Sequence, residues 1–332
     1  MARIIRRFLV AALAAMPSVA AAWPSPHTIG PFAYVSPAPG SALHNAQTNI
    51  IVRPGPLLDP ASLHEGTIQV AGASSGSHPG VLRLSDDART VLFRPSTPFA
   101  PGEQVTCVVA PGIRTESGGE LDGAQFDFTI GPPSVPVSAL TALGEEFGAA
   151  APRFAIARAG SLRTDSIPDD LPPRSLIVSG TPENGLLFLC DIRFEDGTYR
   201  SHLMALRDDG TPVFARLLPG PGFDFKVQAN GSATYFDGAK SRYYAMNGNF
   251  AVRDSFACGN GYTTDIHEFQ LLPDGHALLA AYDSRTLDLS GIVPGGNAQA
   301  EVVGLVVQEL DRAKDVVFEW RSWDHFQITD CV

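Results

Sequence analysis

Three segments constrain this chain more than any bulk property. Ala205-Leu206-Arg207-Asp208-Asp209-Gly210-Thr211-Pro212-Val213-Phe214 reads as strand, tight turn, strand. Phe225 to Phe236 repeats the pattern around Asn230-Gly231, and Phe269 to Ala280 repeats it around Asp274-Gly275. Asp-Gly or Asn-Gly between apolar runs is the strongest short-range hairpin signal, expected here as a type I′ turn with both turn residues at positive φ. The turns at Asn230 and Asp274 are 274 − 230 = 44 residues apart. A further unit is expected to begin at Phe326, 326 − 269 = 57 residues after Phe269, with the extra length in a loop around Ser290 to Ala300. A hairpin pair recurring at about 44 residues is the signature of a propeller blade. The rival reading is a second sandwich; the constant register favours blades.

Composition agrees with many short strands. The 332 residues include 32 Gly and 27 Pro and only 18% charged residues. No stretch of 12 or more residues after the N-terminus has helical periodicity. The fold class expected is all-β: an N-terminal β-sandwich followed by an incomplete β-propeller.

Residues 1–22 have the anatomy of a cleaved secretory signal. Arg3, Arg6 and Arg7 precede an apolar run from Phe8 to Met16, and Ala20-Ala21-Ala22 supplies small residues for cleavage. The run is shorter than the roughly 20 residues a membrane helix needs, so a periplasmic or secreted protein with no membrane span is expected. The formal net charge of −11 argues against nucleic acid or anionic lipid as a partner. Cys107, Cys190, Cys258 and Cys331 allow three disulfide pairings, and none of their spacings suits a zinc site.

Residues 24–131 form the first unit. Short β-rich runs at Thr48–Arg53, Thr67–Val70, Val81–Leu84, Thr90–Phe93, Val105–Val109 and Phe126–Ile130 are separated by Gly, Pro, Asp and Ser, as in an antiparallel sandwich. Ser36-Pro37-Ala38-Pro39-Gly40, Leu58-Asp59-Pro60-Ala61-Ser62-Leu63 and Pro98-Phe99-Ala100-Pro101-Gly102 resemble the bacterial Ig-like domains of exported proteins. Residues 132–174 read as a linker opening on Gly131-Pro132-Pro133, with a short helix expected over Ser138 to Ala149. Residues 175–332 hold the repeat.

Chemistry points to few positions. His267 and His325 stand where the innermost strands of two successive blades are expected to begin, and such starts converge on the axial channel. Imidazole there can serve as nucleophile, acid–base group or anion donor; the plainer reading is a hydrogen-bonded turn histidine. Arg321 is a possible anion partner, although a surface arginine at a strand edge is the plainer reading. Asp208-Asp209-Gly210 is a turn rather than a calcium loop. Asp283, Arg285 and Asp288 read as a solvated loop. No cofactor or metal motif is present.

Asp265-Ile266-His267-Glu268-Phe269-Gln270-Leu271-Leu272-Pro273-Asp274-Gly275-His276 is similar to the blade of the bacterial arylsulfotransferase family that brings a histidine to the channel. Val317-Phe318-Glu319-Trp320-Arg321-Ser322-Trp323-Asp324-His325 resembles the family's next unit. The resemblance covers residues 175–332. It implies an exported propeller that moves a sulfuryl group from an aryl sulfate to a phenol through a channel histidine, with His267 contacting the group, His325 second, and no cofactor. The family's later His-x-Asn-Ser and Ser-Arg-His stretches, and the histidine that is sulfurylated, are not in this sequence. At about 44 residues per blade, 332 − 174 = 158 residues give between three and four blades, so a truncated chain that does not catalyse by itself is expected. The alternative is a non-enzymatic envelope or adhesion-type binding protein. Oligomeric state is left open.

Overall fold

The structure, a computed structural model, describes residues 26–134, 167, 171–175, 177, 179–181, 184–195 and 198–331. The expected signal peptide and the expected helix at 138–149 lie outside these residues, as does most of the expected linker. The all-β expectation is met: among the described residues the only helices are three short 3-10 turns. No helix among them is long and apolar enough to cross a membrane.

The first ten strands build two four-stranded antiparallel sheets. One contains β1 (Tyr34–Ser36), β2 (Ile50–Arg53), β6 (Val91–Pro95) and β5 (Gly80–Leu84), in that order. The other contains β10 (Ala124–Thr129), β7 (Gln104–Val109), β3 (Ile68–Gly72) and β4 (Gly76–Ser77). A two-stranded ribbon, β8 (Ile113–Arg114) with β9 (Glu120–Leu121), lies beside them. Alternation assigns the core: Val105, Cys107 and Val109 of β7 meet Phe126 and Phe128 of β10, and Ile50 and Val52 of β2. Strands β2 and β6 break the one-face rule. Ile51 and Leu92 point the other way and are equally buried, because that face is covered by the later sheets.

The remaining strands form three more four-stranded sheets. In the first, β11 (Leu186–Cys190) and β12 (Arg193–Glu195) both pair with β13 (Thr198–Arg207), which pairs with β14 (Pro212–Leu218). The second is the meander β15 (Gly222–Val227), β16 (Ala233–Asp237), β17 (Arg242–Met246), β18 (Val252–Phe256). The third is the meander β19 (Thr264–Leu271), β20 (Ala277–Leu287), β21 (Ala300–Leu310), β22 (Val316–Arg321). Successive sheets pack face to face. Leu203, Phe214, Phe225 and Tyr235 join the first to the second, and Phe236, Tyr243, Phe269 and Leu279 join the second to the third.

The hairpins fall where the sequence placed them, but the turn chemistry differs. Gly210, Gly231 and Gly275 have φ of +79°, +80° and +89°, while Asp209, Asn230 and Asp274 are not at positive φ. The side-chain oxygen of each of these three instead accepts from the backbone two residues on, at 2.8–3.0 Å. That arrangement keeps only the glycine left-handed, as in a type I turn with a glycine bulge. The expected strand start at Phe326 is also revised. Ser322–Asp324 is a 3-10 turn, the amides of His325 and Phe326 donate to the Ser322 carbonyl, and a second 3-10 turn covers Ile328–Cys331.

Candidate functional site

His267 lies in an irregular stretch of β19. Thr264 pairs with Ala281 and Phe269 with Leu279, so four residues, 265–268, oppose the single Ala280. Bulges of this kind release side chains from the ladder and are common beside active sites. The released group is Asp265-Ile266-His267-Glu268. Asp265 is buried and accepts from the His267 amide at 2.9 Å, and its carboxylate meets His267 Nδ1 at 2.9 and 3.1 Å. The imidazole itself is 55% exposed. Occupying Nδ1 with the carboxylate fixes the ring and leaves Nε2 facing solvent. Among the described residues, Asp265 is the side-chain partner of His267.

A second bulge adjoins the first. Strand β15 runs beside β19, and its Phe223 pairs with Phe236 and its Lys226 with Thr234, so Asp224 and Phe225 oppose Tyr235 alone. Asp224 takes the left-handed conformation, φ +47°. Lys226 Nζ lies 3.0 Å from Asp224 and donates to Glu268 at 2.6 Å, tying the two bulges together. Burial opposes the Lys226 charge, but its hydrogen bonds to Glu268 and Asp224 outweigh it and raise the ammonium above its ordinary value. Asp224 is itself raised, by burial first and by Glu268 in addition, against the pull of Lys226. Tyr243, wholly buried behind these groups and stacked on Phe269, is held protonated by burial and by Asp224, Asp265 and Glu268. The sequence singled out His267 and missed Asp265, Asp224 and Lys226 as its company. The available signal was the acid at i − 2, since residues i and i + 2 of a strand share a face.

The other two candidates lie elsewhere. His325 is exposed in the 3-10 turn after β22, its ring stacked on Trp320 at 5.1 Å and next to His27 of the first unit at 5.6 Å. Arg321 is 1% exposed, so the strand-edge surface reading is corrected. Its Nη2 donates to the Ala42 and Leu43 carbonyls at 2.9 Å, and its Nη1 lies against the His44 ring. Burial, then the Arg321 charge, holds His44 well below its ordinary value, which leaves a neutral ring able to accept. Among the described residues no hydrogen bond, ion pair or ring contact joins His267 to His325 or Arg321.

The solvated-loop reading of Asp283 and Arg285 is likewise corrected. Both side chains are 0% exposed and meet at 2.8 Å, and Arg285 also donates to Asn45 Oδ1 at 2.6 Å and to the Leu43 carbonyl at 3.0 Å. Asp288 alone of that trio is exposed. The charges are buried because the segment Leu43–Asn45 and Pro132 close over them. Asn49, Asn260, Gln308 and buried Glu319 continue the same polar seam, and Tyr34 Oη both donates to the Glu319 carbonyl and accepts its amide at 2.8 Å.

No family model matches this chain, and no curated protein matches it. Several solved structures show faint likenesses. CopC from Methylosinus trichosporium OB3b aligns at 13% identity and TM-score 0.25, over 31% of this chain and 95% of CopC. The S-layer protein rSbsC(31-844) aligns at 14% identity and TM-score 0.26, over 83% of this chain but 45% of its own. The LD transpeptidase LdtMt1 in complex with imipenem aligns at 12% identity and TM-score 0.24, over 85% of this chain and 77% of its own. Scores this low carry no argument about function, which therefore rests on the residues.

Proposed function

We propose that this chain is an exported, arylsulfotransferase-like protein: an Ig-like sandwich followed by consecutive blades of a propeller, with His267 as the histidine that meets the sulfuryl group of an aryl sulfate. The signal anatomy of residues 1–22 supports export. The successive four-stranded sheets at a 44-residue turn spacing support blades. The observation that carries the site is the Asp265–His267 pair, a buried carboxylate at 2.9 Å from Nδ1 of a ring 55% exposed.

Sulfuryl transfer breaks the bond between sulfur and the aryl oxygen, releases a phenolate, and forms a new S–O bond to a phenol whose proton passes to the departing phenolate. Negative charge spreads over the sulfuryl oxygens on the way, so a positioned donor lowers the barrier. With Nδ1–H held by Asp265, the imidazolium form of His267 donates from Nε2 to one of those oxygens. Arg321 and Arg285 cannot assist, because both guanidiniums are committed to the first unit. That same fact favours the alternative, an envelope binding protein, in which the pair recognises a ligand without turnover.

The test is a thermal shift with 4-nitrophenyl sulfate, run beside 4-nitrophenol release in the presence of excess phenol. Stabilisation by the sulfate that is clearly smaller in His267→Ala supports the site, and phenol-dependent release adds the transferase. Equal stabilisation of both proteins, or none at all, overturns it.

A further inference from the structure

The four turns that join β15 to β16, β17 to β18, β19 to β20 and β21 to β22 surround a cleft of about 350 Å³ between the second and third later sheets. That volume is in the range of small-molecule sites. Its rim is cationic in a chain whose net charge is −11. Arg253 is exposed on β18 and has no partner among the described residues. Arg312 donates from Nε to the Asp274 carbonyl at 2.6 Å and the same Nε pairs with Asp86 at 3.5 Å, contacts that anchor the arm through Nε while the side chain stays 65% exposed. Lys314 lies 3.5 Å over the Phe256 ring and pairs with Asp254 at 2.7 Å. Of these four charged side chains, three are cations and the one carboxylate is already taken.

The neutral polar groups add donors. Asn230 and Asn247 both line the cleft. Asn230 Oδ1 accepts the Ser232 amide at 3.0 Å, and Asn247 Oδ1 accepts the amides of Asn249 and Ala251 at 3.1 and 3.0 Å. Each turn therefore uses the acceptor end of its asparagine and leaves the NH2 end for a ligand. Beneath this rim, Met246, Phe256 and Leu271 supply apolar wall.

We propose that this cleft binds a small anionic amphiphile, a sulfonate, sulfate, phosphate or carboxylate group carried on an apolar body. The anionic group sits between the Arg253 and Arg312 guanidiniums, both able to make charge-assisted hydrogen bonds. The apolar body lies against Leu271, beside the Lys314 stem that covers the Phe256 ring. This site shares no residue with the His267 bulge and stands whether or not the sulfuryl-transfer reading does.

The experiment is calorimetric titration of the full chain carrying His267→Ala with 2-naphthalenesulfonate, with neutral 2-naphthol as comparison. The expected result is binding of the sulfonate that weakens with added salt, a much weaker response to naphthol, and about a tenfold loss of affinity for each of Arg253→Ala and Arg312→Ala. Both arginines are exposed enough that circular dichroism should show the variants folded. Affinity unchanged in the double arginine variant, equal binding of naphthol, or no binding of the sulfonate overturns the proposal.

Discussion

Two carboxylates, each paired with a basic side chain two residues on, stand on neighbouring strands and do opposite things. Asp265-Ile266-His267 on β19 places a buried carboxylate behind an exposed ring; Asp283-Ser284-Arg285 on β20 is 0% exposed at both ends. The first pair sits in a bulge facing solvent. The second is closed over by the first unit, with Asn45, the Leu43 carbonyl and Trp323 Nε1 as further partners. Spacing alone sets who can touch whom. Burial then decides whether the pair is spent on structure or kept for a ligand. A buried pair commits both charges, since either one alone would be stranded in a low dielectric.

Breaking the buried pair should have the largest effect. Arg285→Ala strands the Asp283 carboxylate and is expected to cost about 3–5 kcal/mol in urea denaturation. The joint replacement Asp283→Leu with Arg285→Met should recover only part of that loss, because Asn45, the Leu43 carbonyl and Trp323 Nε1 lose their partners; a double variant as unstable as the single one would show that the seam needs the charges themselves. Arg321→Lys comes next, at about 2 kcal/mol, because an ammonium cannot reproduce the guanidinium fork to Ala42, Leu43 and His44. Equal urea midpoints for Arg321→Lys and wild type would contradict the fork.

The seam should also give stability a two-sided pH dependence. His276 bridges Glu309 at 2.7 Å and Asp86 at 2.9 Å, across the two units. Burial opposes its charge, but these hydrogen bonds prevail and raise it above 6.5. Its contribution is therefore complete below about 6.5 and is lost as pH rises through the raised folded value. His44 is lowered, by burial first and then by Arg321, so acidification through 6.5 protonates the unfolded chain and not the folded one, and stability falls. His276→Gln should remove the alkaline loss and keep the acid one in Tm measured from pH 5 to 8; identical Tm profiles for variant and wild type would contradict the bridge. The smallest expected effect is at the pair whose ring is exposed. Asp265→Asn keeps a side-chain oxygen for the His267 amide and should cost about 1 kcal/mol while releasing the His267 ring, visible as a change in its tautomer signals by NMR.

The sequence made some of this legible for identifiable reasons. Turns closed by Gly210, Gly231 and Gly275 announced the hairpins. The turns between β17 and β18 and between β21 and β22 have the same hydrogen bonding but carry Phe250 at φ +56° and Lys314 at φ +70° in the glycine position, so they gave no signal. Ile51 and Leu92 belong to unbroken apolar runs, which indicate burial on both faces but cannot say what covers the second. Arg285 and Arg321 were misplaced because charged side chains are rarely wholly buried without partners, and their partners at Leu43 to Asn45 lie more than 200 residues away in the chain. Trp323 lies on β21 only because Gly304 has no side chain: a Cβ there would be 2.3 Å from the indole nitrogen. His267 could be found from its histidine and its resemblance, whereas the bulge that exposes it depends on pairing with β20.

The most direct measurement is a 15N NMR titration of the His267 ring with 4-nitrophenyl sulfate, in the Arg253→Ala, Arg312→Ala background that disables the cleft. The account predicts that Nε2 shifts on binding while Nδ1, held by Asp265, stays put, and that Asp265→Asn weakens the response. An unchanged His267 ring at saturating sulfate ester would contradict it.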